Sequence, residues 1–213
     1  MSEIFVYVEG PSDQLGLREL FAEINEIAYT KGNKVDFFPL NGKEPLLNKG
    51  PIKAINILRN RPDSFVFILP DLYPPNKPFP HTDYIELKRH LYLRFDEQLK
   101  RKGCDKRLSK RFFVHCFKYD LEVLLLASET ILLDRLKLSQ FSKSWKQPVE
   151  KQNQGNPPKR IIEALFRNSG IKYKDTADVP WILKRTRYQD LVEKCSQNFK
   201  PFVEDLFKIL EIN

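Results

Sequence analysis

The chain has 213 residues, 41% hydrophobic and 30% charged, a balance that suits one folded α/β domain with appendages and excludes a disordered chain. Its 36 Lys and Arg against 28 Asp and Glu leave a net charge of +8, which favours a polyanionic partner without requiring one. No apolar stretch approaches the ~20 residues of a transmembrane helix, the first residues carry no secretory pattern, and Cys104, Cys116 and Cys195 are odd in number and far apart, so the expectation is a cytoplasmic protein with reduced thiols, no membrane association and no zinc site of paired cysteines.

In chain order, residues 4–8 (Ile-Phe-Val-Tyr-Val) predict a first strand, because the run is short, β-branched and aromatic and has no helical period. Glu9 and Gly10 end it, and Gly10, Pro11, Ser12 and Asp13 break the chain before a helix over 13–28. Leu15, Leu20, Ile24 and Ile27 fall near one face of that helix, and Ser12 or Asp13 can cap it. Residues 35–40 predict strand two, and 51–58 a short helix with Pro51 in its first turn. Residues 65–69 predict a third strand, apolar throughout and so buried on both faces. A long polar helix over 83–100 precedes strand four over 112–117. Strands alternating with helices predict a mainly parallel sheet with right-handed crossovers.

Beyond strand four, residues 120–128 read as a helix carrying Leu121, Leu124 and Leu125. Residues 139–158 are polar and rich in Ser, Gln, Asn, Lys, Gly and Pro, which predicts an exposed, mobile loop. Helices are expected over 158–166, 188–195 and 199–210. The expected division is a core over 1–128 and a loop and helical C-terminal extension over 129–213, packed on the core as a single structural domain.

Three acids stand out against this frame. Glu9 ends strand one and Asp71 ends strand three, so if those strands are neighbours both lie at the carboxyl edge, where open α/β sheets place their ligands. Oxygen ligands of this kind suit magnesium or manganese. Glu122 follows strand four, preceded by Asp120 and followed by an apolar run in which a charge needs a partner. Plainer readings exist for each: Glu9 as a solvated loop residue, Asp71 as a turn former, Glu122 as half of a structural salt bridge.

Other features carry less. Lys100, Arg101, Lys102, Lys106, Arg107, Lys110 and Arg111 form a basic stretch that suits a phosphate backbone or a solvated helix end. His81, His90 and His115 show no ligand spacing, and His115 falls inside strand four as a core or edge residue. With no G-x-x-x-x-G-K-[ST] loop, the chain is not expected to hydrolyse ATP alone.

Val8-Glu9-Gly10 at the end of strand one, with an acid after strand three, resembles the topoisomerase–primase (Toprim) fold. More closely, the whole chain resembles the bacterial family catalogued as domain of unknown function 4276, itself Toprim-like. The matching segments are Val8-Glu9-Gly10, Asp71-Leu72-Tyr73 with Pro74, Pro78 and Pro80, Asp120-Leu121-Glu122-Val123-Leu124-Leu125, and Asn156-Pro157-Pro158-Lys159-Arg160-Ile161, followed by a helix with Cys195 and Phe199. They span nearly the full length in the family's order. The wider Toprim pattern has an Asp-x-Asp after strand three, and here its second aspartate is Tyr73.

The resemblance implies a Toprim-like, mainly parallel four-stranded sheet flanked by helices. It implies phosphodiester hydrolysis of DNA or RNA with Mg2+ or Mn2+, Glu9, Asp71 and Glu122 as catalytic acids, and Glu9, Asp71 and Asp120 as metal ligands. Lys159 and Arg160 would hold phosphate, and Tyr73 would stack on a base or donate its hydroxyl; apart from the resemblance, Lys106 and Arg107 of the basic stretch would line nucleic acid. Related overcoming-lysogenisation-defect nucleases and phage-defence systems imply a bacterial antiviral role beside an ATPase of the structural-maintenance type. The alternative is a non-catalytic regulatory subunit that binds nucleic acid or a partner through a degenerate site.

Overall fold

Four strands, β1 (Glu3–Val8), β2 (Lys34–Pro39), β3 (Ser64–Leu69) and β4 (Phe112–Val114), pair in parallel in the order β2-β1-β3-β4 in the computed structural model. Residues 2–75, 79–152 and 155–212 are described. Side chains alternate across the sheet: Ile4, Val6 and Val8 of β1 enter one apolar cluster and Tyr7 the other, while Phe67 and Leu69 of β3 face Val66 and Ile68 in the same way. Burial on both faces is what the unbroken apolar runs required. Pairing beyond β4 thins to single contacts, with His115 and Phe117 donating to the carbonyls of Ile68 and Pro70, so the expected strand over 112–117 is shorter in regular form.

Helices α1 (Pro11–Leu20) and α2 (Ala22–Thr30) connect β1 to β2. The expected single helix over 13–28 is broken at Phe21, whose ring is buried against Phe37, Phe199 and Phe202. The break rephases the apolar face. Leu17, Leu20, Ile24 and Ala28 are buried, whereas Leu15 and Ile27 point outward. Neither Ser12 nor Asp13 is the cap. Gly10 takes that position and Asp13, three residues on, accepts the Gly10 N–H at 2.9 Å. The free edge of β2 is closed by side chains, since Asn25 Oδ1 accepts from Val35 N at 3.0 Å and Gln14 donates to the Phe37 carbonyl at 2.8 Å.

Helix α3 (Lys43–Asn60) is far longer than expected and holds Pro51 in its interior. Proline there removes a backbone hydrogen bond, but Leu46, Leu47, Ala54, Ile55 and Leu58 bury a continuous face on the sheet, and that packing overrides the local preference. Helix α4 (Tyr84–Arg101) covers the same face, with Leu87, Leu91, Phe95 and Leu99 inward. α1 and α2 lie on the opposite face, with α5 (Glu122–Ala127), α6 (Glu129–Leu136), α7 (Pro158–Asn168), α8 (Asp175–Leu183), α9 (Tyr188–Lys194) and α10 (Phe199–Leu210). α6 and α8 were not expected. α8 carries an internal proline and α6 follows α5 almost without a break.

α1 and α8 meet at Gly16, where an added Cβ would come within 2.5 Å of Val179 Cγ1. Only a glycine permits that approach. The expected loop over 139–158 is mostly exposed along its described residues, and it is anchored around a 3-10 turn, Val149–Lys151. Val149, Glu150 and Gln152 are buried, and the Glu150 carboxylate accepts the N–H groups of Gln197, Asn198 and Phe199 at the start of α10. All three cysteines are free thiols. No helix among the described residues is long and apolar enough to cross a membrane.

Candidate functional site

Strand order makes the site. The chain leaves β1 toward α1 on one face and leaves β3 toward α4 on the other, so the loops after these adjacent strands diverge and open a crevice at the carboxyl edge. Val8 and Leu69 stand opposite each other in register, which brings Glu9 and Asp71 together just beyond them. Glu9 Oε1 accepts the Asp71 N–H at 3.0 Å. Asp71 Oδ1 is shielded from solvent and has no hydrogen-bond partner among the described residues. Leu72 N donates to the Phe117 carbonyl at 3.0 Å and Tyr73 N to the Tyr119 carbonyl at 2.7 Å, so the loop after β3 is laced to the segment after β4. His81 braces the same loop, its ring nitrogens each 2.9 Å from the carbonyls of Phe79 and Leu72.

Tyr119, in the left-handed region at φ 79°, turns the chain sharply into Asp120. Both Asp120 oxygens face Lys159 N, at 3.1 and 3.2 Å, so Asp120 binds the first turn of α7. Glu122 is buried at the start of α5, and its Oε1 accepts from the Tyr173 hydroxyl at 3.2 Å. The Lys159 ammonium lies 3.4 Å from the same oxygen and 4.0 Å from Asp175. Glu122 is therefore a partnered buried acid, as its apolar setting demands.

The field of this cluster is strongly negative. Burial, followed by the charges of Glu9, Asp13, Asp120 and Glu122, holds the Asp71 carboxyl well above the usual range. Burial pushes Glu9 up to about 7, with Lys43 opposing and Asp13 adding to the rise. Burial pushes Asp13 up to about 6. For Asp120, burial and then the Glu122 charge raise the carboxyl to about 8. Burial works against the Lys159 ammonium, but Glu122 and Asp175 outweigh it and raise its pKa.

Two further residues belong to the cluster and were not identified from sequence. Asp13 sits four residues beyond Glu9 on the first turn of α1, and the E-x-x-x-D spacing could have signalled it. Lys43 opens α3 after an Asn-Gly turn and donates to the Pro74 carbonyl at 2.7 Å. The remaining expected residues are dispersed. Tyr73 is half-buried with its ring 6.4 Å from that of Tyr119, and Arg160 is exposed on α7. Lys106 and Arg107 precede β4, at the amino end of the parallel sheet and so opposite the carboxylates; Arg107 pairs with Asp105. Arg111 of the same basic stretch is engaged by the carbonyls of Leu58, Arg61 and Ser64. Pro78 lies outside the described residues.

The donor set fits a hard divalent cation. Two convergent carboxylates, one with an unpartnered oxygen, suit an ion that takes most of its shell from water and phosphate. Among the described residues no three His, Cys, Asp or Glu side chains stand together as a ready-made metal cage.

Residues 8–207 match the model of a family described as "Domain of unknown function (DUF4276)". No curated protein matches the chain. Among solved structures, the C-terminal region of the Burkholderia pseudomallei OLD protein is similar at 14% identity and a TM-score of 0.51, covering 97% of this chain and 98% of that one. The C-terminal region of the Xanthomonas campestris pv. campestris OLD protein matches at 13% identity and a TM-score of 0.43, over 88% of this chain and 87% of that one. The first of these likenesses shows the fold: a Toprim-like parallel sheet flanked by helices, with a helical C-terminal region.

Proposed function

The chain belongs to the family described as Domain of unknown function (DUF4276), and on that premise we propose that it is a divalent-metal-dependent nuclease that hydrolyses phosphodiesters of DNA or RNA. One observation carries the reading: Glu9 and Asp71 converge at the crevice between β1 and β3, with Asp71 Oδ1 buried and unpartnered. That arrangement is costly unless a cation completes it. Glu9 and Asp71 would hold Mg2+ or Mn2+, with Asp120 adding charge nearby. When bound, the ion would polarise a phosphoryl oxygen and supply an activated water.

The chain's own residues do the rest. Lys159 neutralises phosphate charge, and Glu122 and Asp120 orient it from its side chain and its backbone. Arg160 extends the cationic surface along α7. Tyr73 offers an aromatic face at the mouth of the crevice. The family resemblance to overcoming-lysogenisation-defect nucleases adds an antiviral setting and an ATPase partner that gates cleavage. The non-catalytic reading draws on Tyr73, which stands where a second aspartate would hold a second ion.

The test is cleavage of single- and double-stranded DNA and RNA by purified protein, with and without an ATPase encoded beside it, in Mn2+ and in EDTA. Metal-dependent cleavage lost in Glu9→Gln and in Asp71→Asn supports the reading. Full antiviral protection in cells by Glu9→Gln would instead make the acids vestigial.

A further inference from the structure

The turn after β2 is built to deliver one side chain. Leu40 N donates to the Val8 carbonyl at 3.0 Å, and Gly42 N donates to the Glu9 carbonyl at 2.8 Å, so the turn is bonded to the strand that carries Glu9. Asn41 and Gly42 have φ of 59° and 122°, left-handed conformations that suit Asn and Gly and that a bulkier residue would resist. The chain then enters α3 at Lys43. Its ammonium donates to the Pro74 carbonyl, 2.7 Å away, one residue beyond Tyr73. It lies within the field of both Glu9 and Asp71, and the residue is half-buried.

The positions of Lys43 and Tyr73 are linked. Where a second aspartate would create demand for a second cation, this chain has a neutral tyrosine, and a protein cation reaches the adjoining carbonyl. We propose that Lys43 takes the place of a second divalent ion: the site binds a single ion at Glu9 and Asp71, and the Lys43 ammonium contacts the substrate phosphate from the β2 side while Lys159 does so from α7. The inference rests on the nuclease reading. It deepens that reading by giving the site a one-ion stoichiometry and a second phosphate-binding arm. An ammonium suits the role because it is a compact point charge on a flexible stem, able to leave the Pro74 carbonyl for a phosphate oxygen.

The experiment is calorimetric titration of MnCl2 into the whole chain, paired with anisotropy titration of a single-stranded oligonucleotide in Ca2+ across a salt series. Lys43→Gln keeps a donor for Pro74 and removes the charge, and Lys43→Arg keeps the charge. Circular dichroism verifies that each variant is folded. The wild type should bind one Mn2+ per chain. Lys43→Gln should bind Mn2+ about five- to tenfold more tightly, because a like charge has left the ion's surroundings. It should also bind the oligonucleotide more weakly, with a salt slope shallower by about one, which Lys43→Arg restores.

Two Mn2+ ions per wild-type chain would overturn the inference, as would a Lys43→Gln variant with unchanged Mn2+ affinity and unchanged salt slope. Glu9→Gln separates the two levels. If it loses Mn2+ while Lys43→Gln behaves as wild type, the metal site stands and the role of Lys43 falls. If Glu9→Gln binds Mn2+ as the wild type does, both fall.

Discussion

Asp71→Asn exchanges a buried carboxylate for an amide of the same shape. In the metal-free protein above neutral pH, Asp71 lies in the field of Glu9, Asp13, Asp120 and Glu122, and its Oδ1 accepts no hydrogen bond from the described residues. A neighbouring like charge costs on the order of a few kcal/mol at an effective dielectric of 20. The amide returns part of that gain, since an unpaired polar group in the same place costs about 1–3 kcal/mol. The net expectation is a stabilisation of about 1–2 kcal/mol, or a Tm rise of roughly 2–8 °C for a chain of this size.

Differential scanning fluorimetry in EDTA at pH 8 reads this directly. As pH falls the gain should shrink, and it should vanish only near pH ~4 and below, where the carboxyl is protonated in the unfolded chain as well as in the fold. Saturating Mn2+ should reverse the order: an ion at 100 times its Kd adds about 2.7 kcal/mol to the wild type and nothing to the variant. An Asp71→Asn variant less stable than wild type in EDTA at pH 8, or stabilised by Mn2+ to the same degree, would refute the reasoning.

Three further outcomes follow from the geometry. Glu9 at about 7, Asp13 at about 6 and Asp120 at about 8 are all raised, so their contribution to stability is complete below pH ~4 and lost as pH rises to about 8; urea titrations in EDTA should show that decline, flattened in a Glu9→Gln, Asp120→Asn double variant. Gly16→Ala improves local helix propensity by about 1 kcal/mol but places a methyl 2.5 Å from Val179, and should cost a net ~1–3 kcal/mol in chemical denaturation; a stabilised variant would show that α1 and α8 can separate freely. Asp120→Ala removes the acceptor for Lys159 N, so α7 should show faster amide hydrogen exchange in its first turn while α4 is unchanged.

Much of the fold was legible because the strands declare themselves. Ile4 to Val8 and Phe65 to Leu69 are too short and too apolar for anything but buried strands, and the acids that end them needed only neighbouring strands to meet. What escaped reading depended on tertiary packing. Phe21 breaks a helix that periodicity would continue, because three aromatic rings surround it. Pro51 would ordinarily start a helix but lies inside one, held by the face packed on the sheet. Glu150 looks like a loop residue until the start of α10 is placed beside it.

Motifs singled out Glu9, Asp71, Asp120, Glu122 and Lys159, and contacts join Glu9 to Asp71 and, separately, Lys159 to Asp120 and Glu122. Asp13 was read only as a cap. Lys43 was overlooked because a lysine opening a helix is common, and only the pairing of loops from two strands brings it to the crevice. Lys106 and Arg107 follow charge density alone, which does not distinguish one end of a parallel sheet from the other.

Anomalous diffraction from crystals soaked in Mn2+ tests the central claim most directly. The account predicts one strong peak per chain between the Glu9 and Asp71 carboxylates, absent from crystals of Asp71→Asn. Manganese bound elsewhere on the chain, with Glu9 and Asp71 left without an ion, would contradict it.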